Sequence, residues 1–362
     1  MSVSPPILLL ALAFLFSGCS DVAYYWQAGL GQLEILRKRR PIGEVLEDPG
    51  VGEETKAKLR LVRRAQAFGR EALALPEGAS FHYYTDLERD FVSWLVVASE
   101  PYAFRAFRNC FPVVGCLGYR GFFQRADANG FASGLEGEGL DVWVRPVSAY
   151  STLGWFDDPV LNTTLRAADL QIVATVLHEQ AHQVLFVKGD TAFNESFATF
   201  VEREGVPRFL RDGGGQSGSQ EDAQLARYEA LHEDRQRFRA ILLRGKARLE
   251  GLYGSGKPTA EMVAEKTRLF AQMRQDYQNE KGSFKLASYD SWFAQDLNNA
   301  HLVGVEQYQS WVGAFQALFD RSGQDFARFY DAAKELADLT PEGRLTRMQT
   351  LAKEPVVSQI EN

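Results

Sequence analysis

The sequence predicts an α+β protein that is mainly helical, with a small, mostly antiparallel sheet ahead of a buried central helix and a helical C-terminal half. Three patterns point to it. The stretch "EETKAKLRLVRRAQAFGREALAL" repeats apolar residues at steps of three and four, the period of one helix face, and ends at Pro76. From about Ser80 to Val147 the pattern turns to short β-prone runs such as "DFVSWLVVAS", "GYRGFF" and "LDVWVRPV", broken by Gly and Pro. A helix over Ala167 to Val187 follows, apolar nearly all round from Leu170 to Leu177, as expected in the middle of a domain.

At 362 residues, 45% of them hydrophobic, the chain can bury a full core. Its net charge of −7 argues against a nucleic-acid partner, which calls for a basic face. Four segments follow from the composition: 1–18 as a signal peptide, 19–78 as an N-terminal helical segment, 79–210 as the region of the sheet and the central helices, and 211–362 as helical. "GQLEILRKRR" ends the first helix, and its run Arg37-Lys38-Arg39-Arg40 reads as a solvated helix end, with a lipid-headgroup contact as the alternative. Gly189 should stop the central helix. Asp190 or Thr191 then caps a helix from Phe193 to Arg203 that ends at Gly205 and Pro207. "DGGGQSGSQ" is a flexible segment. Beyond it, charged stretches within 221–280, joined by "GLYGSGKP", predict a projecting helical hairpin that offers a surface to a protein partner. A last helical block runs from Ser291 to about Leu339.

The apolar run Ile7–Phe16 is too short to span a bilayer comfortably and leads into "FSGCS". This resembles a bacterial lipoprotein signal, in which Cys19 is lipidated and becomes the first mature residue. The n-region "MSVSPP" has no Lys or Arg and Phe16 stands where Leu is usual, so a simple cleaved signal is the alternative. The expected location is the periplasmic side of the bacterial cell envelope, with a lipid anchor in the membrane. Ser20 after the cysteine resembles lipoproteins sent to the outer membrane. The remaining cysteines, Cys110 and Cys116, flank Pro112 and Gly115; they are either a disulfide in an oxidising compartment or two buried thiols.

The chemistry concentrates in "TVLHEQAHQVLFVKGDTAFNESFATFVEREG", residues 175–205. On a helix, residues four apart share a face, so His178 and His182 can present their imidazoles to one tetrahedral zinc ion. Glu179 stands beside the first histidine and can reach a water at that ion without ligating it, the position of a general base. Zinc needs a third protein ligand, and Glu195 is the obvious candidate: a largely extended return from Gly189 can cover the distance. Without a metal, "HEQAH" on an apolar helix would bury three ionisable groups at considerable cost.

"HEQAH" followed by "NESFA" resembles the gluzincin metallopeptidases, especially the zinc aminopeptidases whose third ligand lies in an N-E-x-x-A segment. The gap between the two motifs is shorter here. The chain is more similar to a bacterial family described as putative aminopeptidases, which shows equivalents of "CFPVVGCLGYRGFF" (110–123), "AYSTLGWFDDPVL" (149–161) and "LNNAHL" (297–302). The resemblance implies a metallopeptidase fold, one zinc ion on His178, His182 and Glu195, Glu179 as the base, and a peptide substrate.

Glu202 and Asp190 are candidates to orient the imidazoles, each also readable as a cap or a surface charge. Tyr308 and His301 are candidate oxyanion donors, and Asn298 and Asn299 either bind backbone or substrate or serve as a cap. Tyr150 and Ser151, at the start of a candidate strand Tyr150–Leu153, could pair with an extended peptide; a turn is the alternative. No G-A-M-E-N sequence supplies the glutamate that binds a free α-amine in the large zinc aminopeptidases. A carboxylate for that amine would have to come from Glu202, Asp157, Asp158 or Asp190. The expected function is a zinc aminopeptidase. A zinc endopeptidase with the same site, or a non-catalytic zinc-binding envelope lipoprotein, competes with it.

Overall fold

The computed structural model describes residues 24–78, 80–111, 115–148, 158–212, 218–305 and 311–354, with the backbone alone for 218–220. The proposed signal, Cys19, Tyr150, Ser151, Asp157 and Tyr308 lie outside the described residues. In chain order the elements are helix α1 (24–38), strand β1 (Arg40–Pro41), helices α2 (Ile42–Glu47) and α3 (Glu53–Leu73), and strands β2 (Tyr83–Thr85), β3 (Ser93–Ser99), β4 (Asn109–Phe111), β5 (Gly115–Leu117) and β6 (Tyr119–Phe122). Then come helix α4 (Arg125–Gly137), strands β7 (Asp141–Val147) and β8 (Val160–Leu161), and helices α5 (Asn162–Leu165), α6 (Asp169–His182) and α7 (Thr191–Asp212). The C-terminal half holds α8 (Gly218–Tyr253), α9 (Thr259–Glu280), α10 (Asp290–Phe293), α11 (Val312–Arg321), α12 (Phe326–Ala337) and α13 (Pro341–Leu351).

This is the mainly helical α+β architecture that the sequence predicts, with the strands of the described residues divided among three small sheets. The largest has the order β6-β3-β7 and is antiparallel throughout. A second places β2 between antiparallel β1 and parallel β8, and the third is the β4-β5 hairpin, where Cys110 and Cys116 face each other and are joined as a disulfide. Helix α4 interrupts the strand region where only strands and turns were expected. Its three glycines, Gly130, Gly134 and Gly137, lower its helix propensity. Burial of Ala128, Ala132 and Leu135 against Val96, Phe122 and Val142 of the large sheet outweighs that deficit.

Helix α6 lies in the main core, where Ile172, Val173, Val176, Leu177 and Ala181 are buried with Leu59, Val62 and Leu73 of α3. It ends at His182, five residues short of the expected Val187. The reason is Asn194, whose Oδ1 accepts from the Val187 amide at 2.9 Å while its Nδ2 donates to the Val187 carbonyl at 2.8 Å. Both backbone groups of Val187 are thereby satisfied in a turn, with no further helix required. Asp190 accepts from the Phe193 amide at 3.1 Å and starts α7.

Helix α7 passes through Gly205 and Pro207, where it was expected to stop, and continues to Asp212. A Cβ on Gly205 would lie 2.7 Å from Leu177 Cδ1 and 2.8 Å from Leu73 Cδ1, so this glycine permits the close approach of α3, α6 and α7. Pro207 removes one helical N–H donor, and the buried Val206 and Phe209 on either side hold the helix together. Phe193, Phe197 and Phe200 of α7 pack into an aromatic cluster with Phe315, Phe319 and Phe329 of α11 and α12.

Helices α8 and α9 pack on each other as a hairpin and share a core with Phe293, Leu297 and Leu302. Lys266 of α9 donates to Asp141 of β7 at 2.6 Å, which ties the hairpin to the large sheet. No helix among the described residues is long and apolar enough to cross a membrane.

Candidate metal centre

His178 and His182 occupy the last turn of α6, and Glu195 lies in the first turns of α7, the two helices being joined by the turn that Asn194 closes. Their side chains converge. His178 Nε2 and His182 Nε2 are 3.2 Å apart, and the Glu195 carboxylate oxygens lie 3.4 Å from the first and 3.6 Å from the second. Tetrahedral zinc with bonds of about 2.1 Å would separate its ligand atoms by roughly 3.4 Å, which matches all three spacings. The donor set fits as well. Two imidazole nitrogens and a carboxylate are donor types that zinc takes, the histidine nitrogens losing any proton they carry when they ligate.

Glu202, two turns after Glu195, is 14% exposed and holds His178 from behind. One of its oxygens lies 3.3 Å from His178 Nδ1, which directs Nε2 of that ring toward the cluster. The other accepts from the Tyr228 hydroxyl at 3.1 Å and lies 3.7 Å from His232 Nε2, both residues on α8. Burial works against charge on His178, but hydrogen bonding to Glu195 and Glu202 prevails and pushes its pKa up to about 10. For His182, burial and then the neighbouring His178 lower the value to about 4. Burial raises the carboxyls of Glu195 and Glu202, and His178 more than reverses this, leaving both below the usual range. His182 Nδ1 is buried with no hydrogen-bond partner among the described residues. Glu179 is half-buried one residue beyond His178, and its charge helps to hold that ring protonated.

The other described candidates make contacts within the fold. Asp190 caps α7 and pairs with buried Arg344 at 2.8 Å. Asn298 and His301 form a capping box around the short 3₁₀ turn Asn299–His301, and the His301 ring stacks on Trp143. Asn299 joins Asp141, Glu100 and Tyr253 through three hydrogen bonds. Asp158 is buried, and its carbonyl accepts from the Phe81 amide at 2.7 Å.

Four residues near the site carried no assigned role in the sequence. Tyr228 and His232 repeat, on α8, the four-residue spacing of His178 and His182, but α8 reads as a charged, solvated helix. Tyr119 and Arg145 lie on the face of the β6-β3-β7 sheet that α4 does not cover. Burial raises the pKa of Tyr119, Arg145 opposes the rise and Glu195 adds to it, so this face is within electrostatic reach of the cluster.

Fold and site together define a mainly helical α+β protein with two histidines and a carboxylate positioned to hold a metal ion. The chain belongs to the family described as "Putative aminopeptidase", whose model matches residues 23–348. No curated protein and no solved structure matches it.

Proposed function

We propose that the protein is a zinc-dependent aminopeptidase that hydrolyses peptides at the bacterial cell envelope. The observation that carries this reading is the convergence of His178, His182 and Glu195 within 4.8 Å, with Glu179 next to the first ligand. A zinc ion on those three side chains supplies the electrophile that polarises a peptide carbonyl and acidifies a water. Glu179 accepts the proton of the attacking water and returns it to the leaving amine. Glu202, by engaging His178 Nδ1, keeps the ring oriented and its Nε2 available. A structural zinc site closes with four protein ligands and needs no adjacent base. Three ligands and an intact Glu179 therefore favour catalysis over a purely structural role.

Discrimination for a free N-terminus requires a carboxylate near the substrate amine. Of the four candidates, Glu202 is engaged by His178 and Tyr228 and Asp190 by Arg344, which leaves Asp157 and Asp158 to meet that amine; without one of them the same site acts as an endopeptidase. The deciding experiment measures metal content and the turnover of a peptide with a free N-terminus against its acetylated twin. One zinc per chain and cleavage of the free peptide only are expected. Equal cleavage of both would replace the aminopeptidase assignment with an endopeptidase. In parallel, Glu179→Gln should retain the metal and lose turnover by about a thousandfold. An active variant would show that the reaction does not run through Glu179.

A further inference from the structure

Helix α1 has two unlike faces. Its inner face is tied to the strand region: Gln27 accepts from the Phe123 amide at 3.1 Å, Gly31 meets the Phe123 ring, and Ile35 is fully buried. Its outer face carries Trp26, Leu30 and Leu33, which are 70%, 50% and 46% exposed, and then exposed Arg37. At 100° per residue these four side chains fall within an arc of about 60°, forming a stripe roughly 16 Å long. Tyr25, also exposed, flanks it.

Basic charge gathers at the end of the stripe. Lys38 is paired with Glu34 and Glu88, and Arg40 with Asp48. Arg37 and Arg39 have no carboxylate partner among the described residues, although Arg39 lies over the Tyr83 ring. In a chain of net charge −7 this is a local reversal of sign.

The neighbouring chain identifies what covers this face. The residues before Tyr24 contain the apolar run Ile7–Phe16 and Cys19. Five residue steps separate Cys19 from Tyr24, at most about 18 Å of extended chain. A chain held in a bilayer by its apolar run or by a lipid on Cys19 therefore keeps α1 at the membrane surface. Aromatic and leucine side chains on one helix face, with arginines beside them, are the composition that lies in an anionic lipid interface.

We infer that α1 is an interfacial helix that rests on anionic phospholipid through Trp26, Leu30 and Leu33, with Arg37 and Arg39 among the headgroups. The body then docks on the membrane in one orientation instead of swinging on a tether. This inference does not depend on the peptidase reading.

The test uses the full chain reconstituted into vesicles of phosphatidylcholine and phosphatidylglycerol brominated on their acyl chains, which quench nearby tryptophan. Residues 1–23 contain no tryptophan, so a membrane anchor by itself gives no signal. Wild type should be quenched, and Trp26→Tyr should lose at least about half of the quenchable emission. Leu30→Glu with Leu33→Glu alters only exposed positions; it should leave the circular dichroism unchanged and lower the quenching at least twofold. Equal quenching of wild type and Trp26→Tyr, or of wild type and the double variant, would overturn the proposal. So would Trp26 emission that shifts to the blue with protein concentration before lipid is added, since that marks a second copy as the occupant.

Discussion

His178 faces a carboxylate from each ring nitrogen, Glu195 on Nε2 and Glu202 on Nδ1, so the metal-free ring is an imidazolium at neutral pH. A metal taking Nε2 must displace that proton, whereas His182 is already neutral. Zinc binding near pH 7 should therefore release about one proton, and apparent affinity should rise about tenfold per pH unit up to the His178 value. Calorimetry in buffers of different ionisation enthalpy measures the release. A binding enthalpy independent of buffer would mean that the metal-free His178 ring is already neutral near pH 7. Tyr228→Phe keeps the ring and deletes the hydroxyl that engages Glu202. Metal affinity should fall by up to about tenfold with the fold intact, and an unchanged affinity would make that hydrogen bond incidental.

At the scale of elements, Gly205 sets how closely α6 and α7 approach, facing Leu177, the residue before His178. Gly205→Val should destabilise the protein by about 1–3 kcal/mol through overpacking against Leu177 and Leu73, read from denaturant midpoints. A neutral result would mean that the helices separate freely at this crossing. Asp234 of α8 is fully buried and accepts from the amides of Lys285, Leu286 and Ala287, pinning the turn after α9. Burial raises its carboxyl, and the three amide bonds more than reverse this, so its folded pKa is depressed. Its contribution is then fully present above the unfolded value of about 3.9 and is lost as pH falls through the lower folded value. Asp234→Ala should cost about 1.5–3 kcal/mol at neutral pH, and its stability should converge with that of wild type in strong acid. A gap that persists there would mean that the carboxylate's charge is not what the turn depends on.

For the whole molecule, the cluster bridges two core helices, so a metal held there would stabilise the folded state as one unit. At a thousandfold excess over Kd a ligand contributes about 4 kcal/mol. Chelation should lower the melting temperature by several degrees within a single transition. A melting curve indifferent to chelation, with metal loss verified, would place the ion outside these ligands. Mass spectrometry of the mature N-terminus checks the proposed anchor, with a lipidated Cys19 expected and an unmodified first residue refuting it.

The sequence alone determined the class of fold and the cluster, because a four-residue histidine spacing and a later "NE" depend only on helix geometry and chain reach. His178, His182 and Glu195 meet as that spacing implies. Local pattern misplaced the ends of α6 and α7 and missed α4, since those limits are set by partners distant in the chain. Asn194 satisfies the Val187 backbone seven residues away, Gly205 fits between two leucines of other helices, and the large sheet buries Ala128 and Leu135. The surroundings of the cluster were equally hidden. Tyr228 and His232 meet Glu202 only because α8 crosses α7, and Tyr119 comes within reach of Glu195 only through sheet register. Ligand spacing is a property of one helix and one turn, whereas the field around the ligands is a sum over every element packed against them, and that sum exists only in the folded chain.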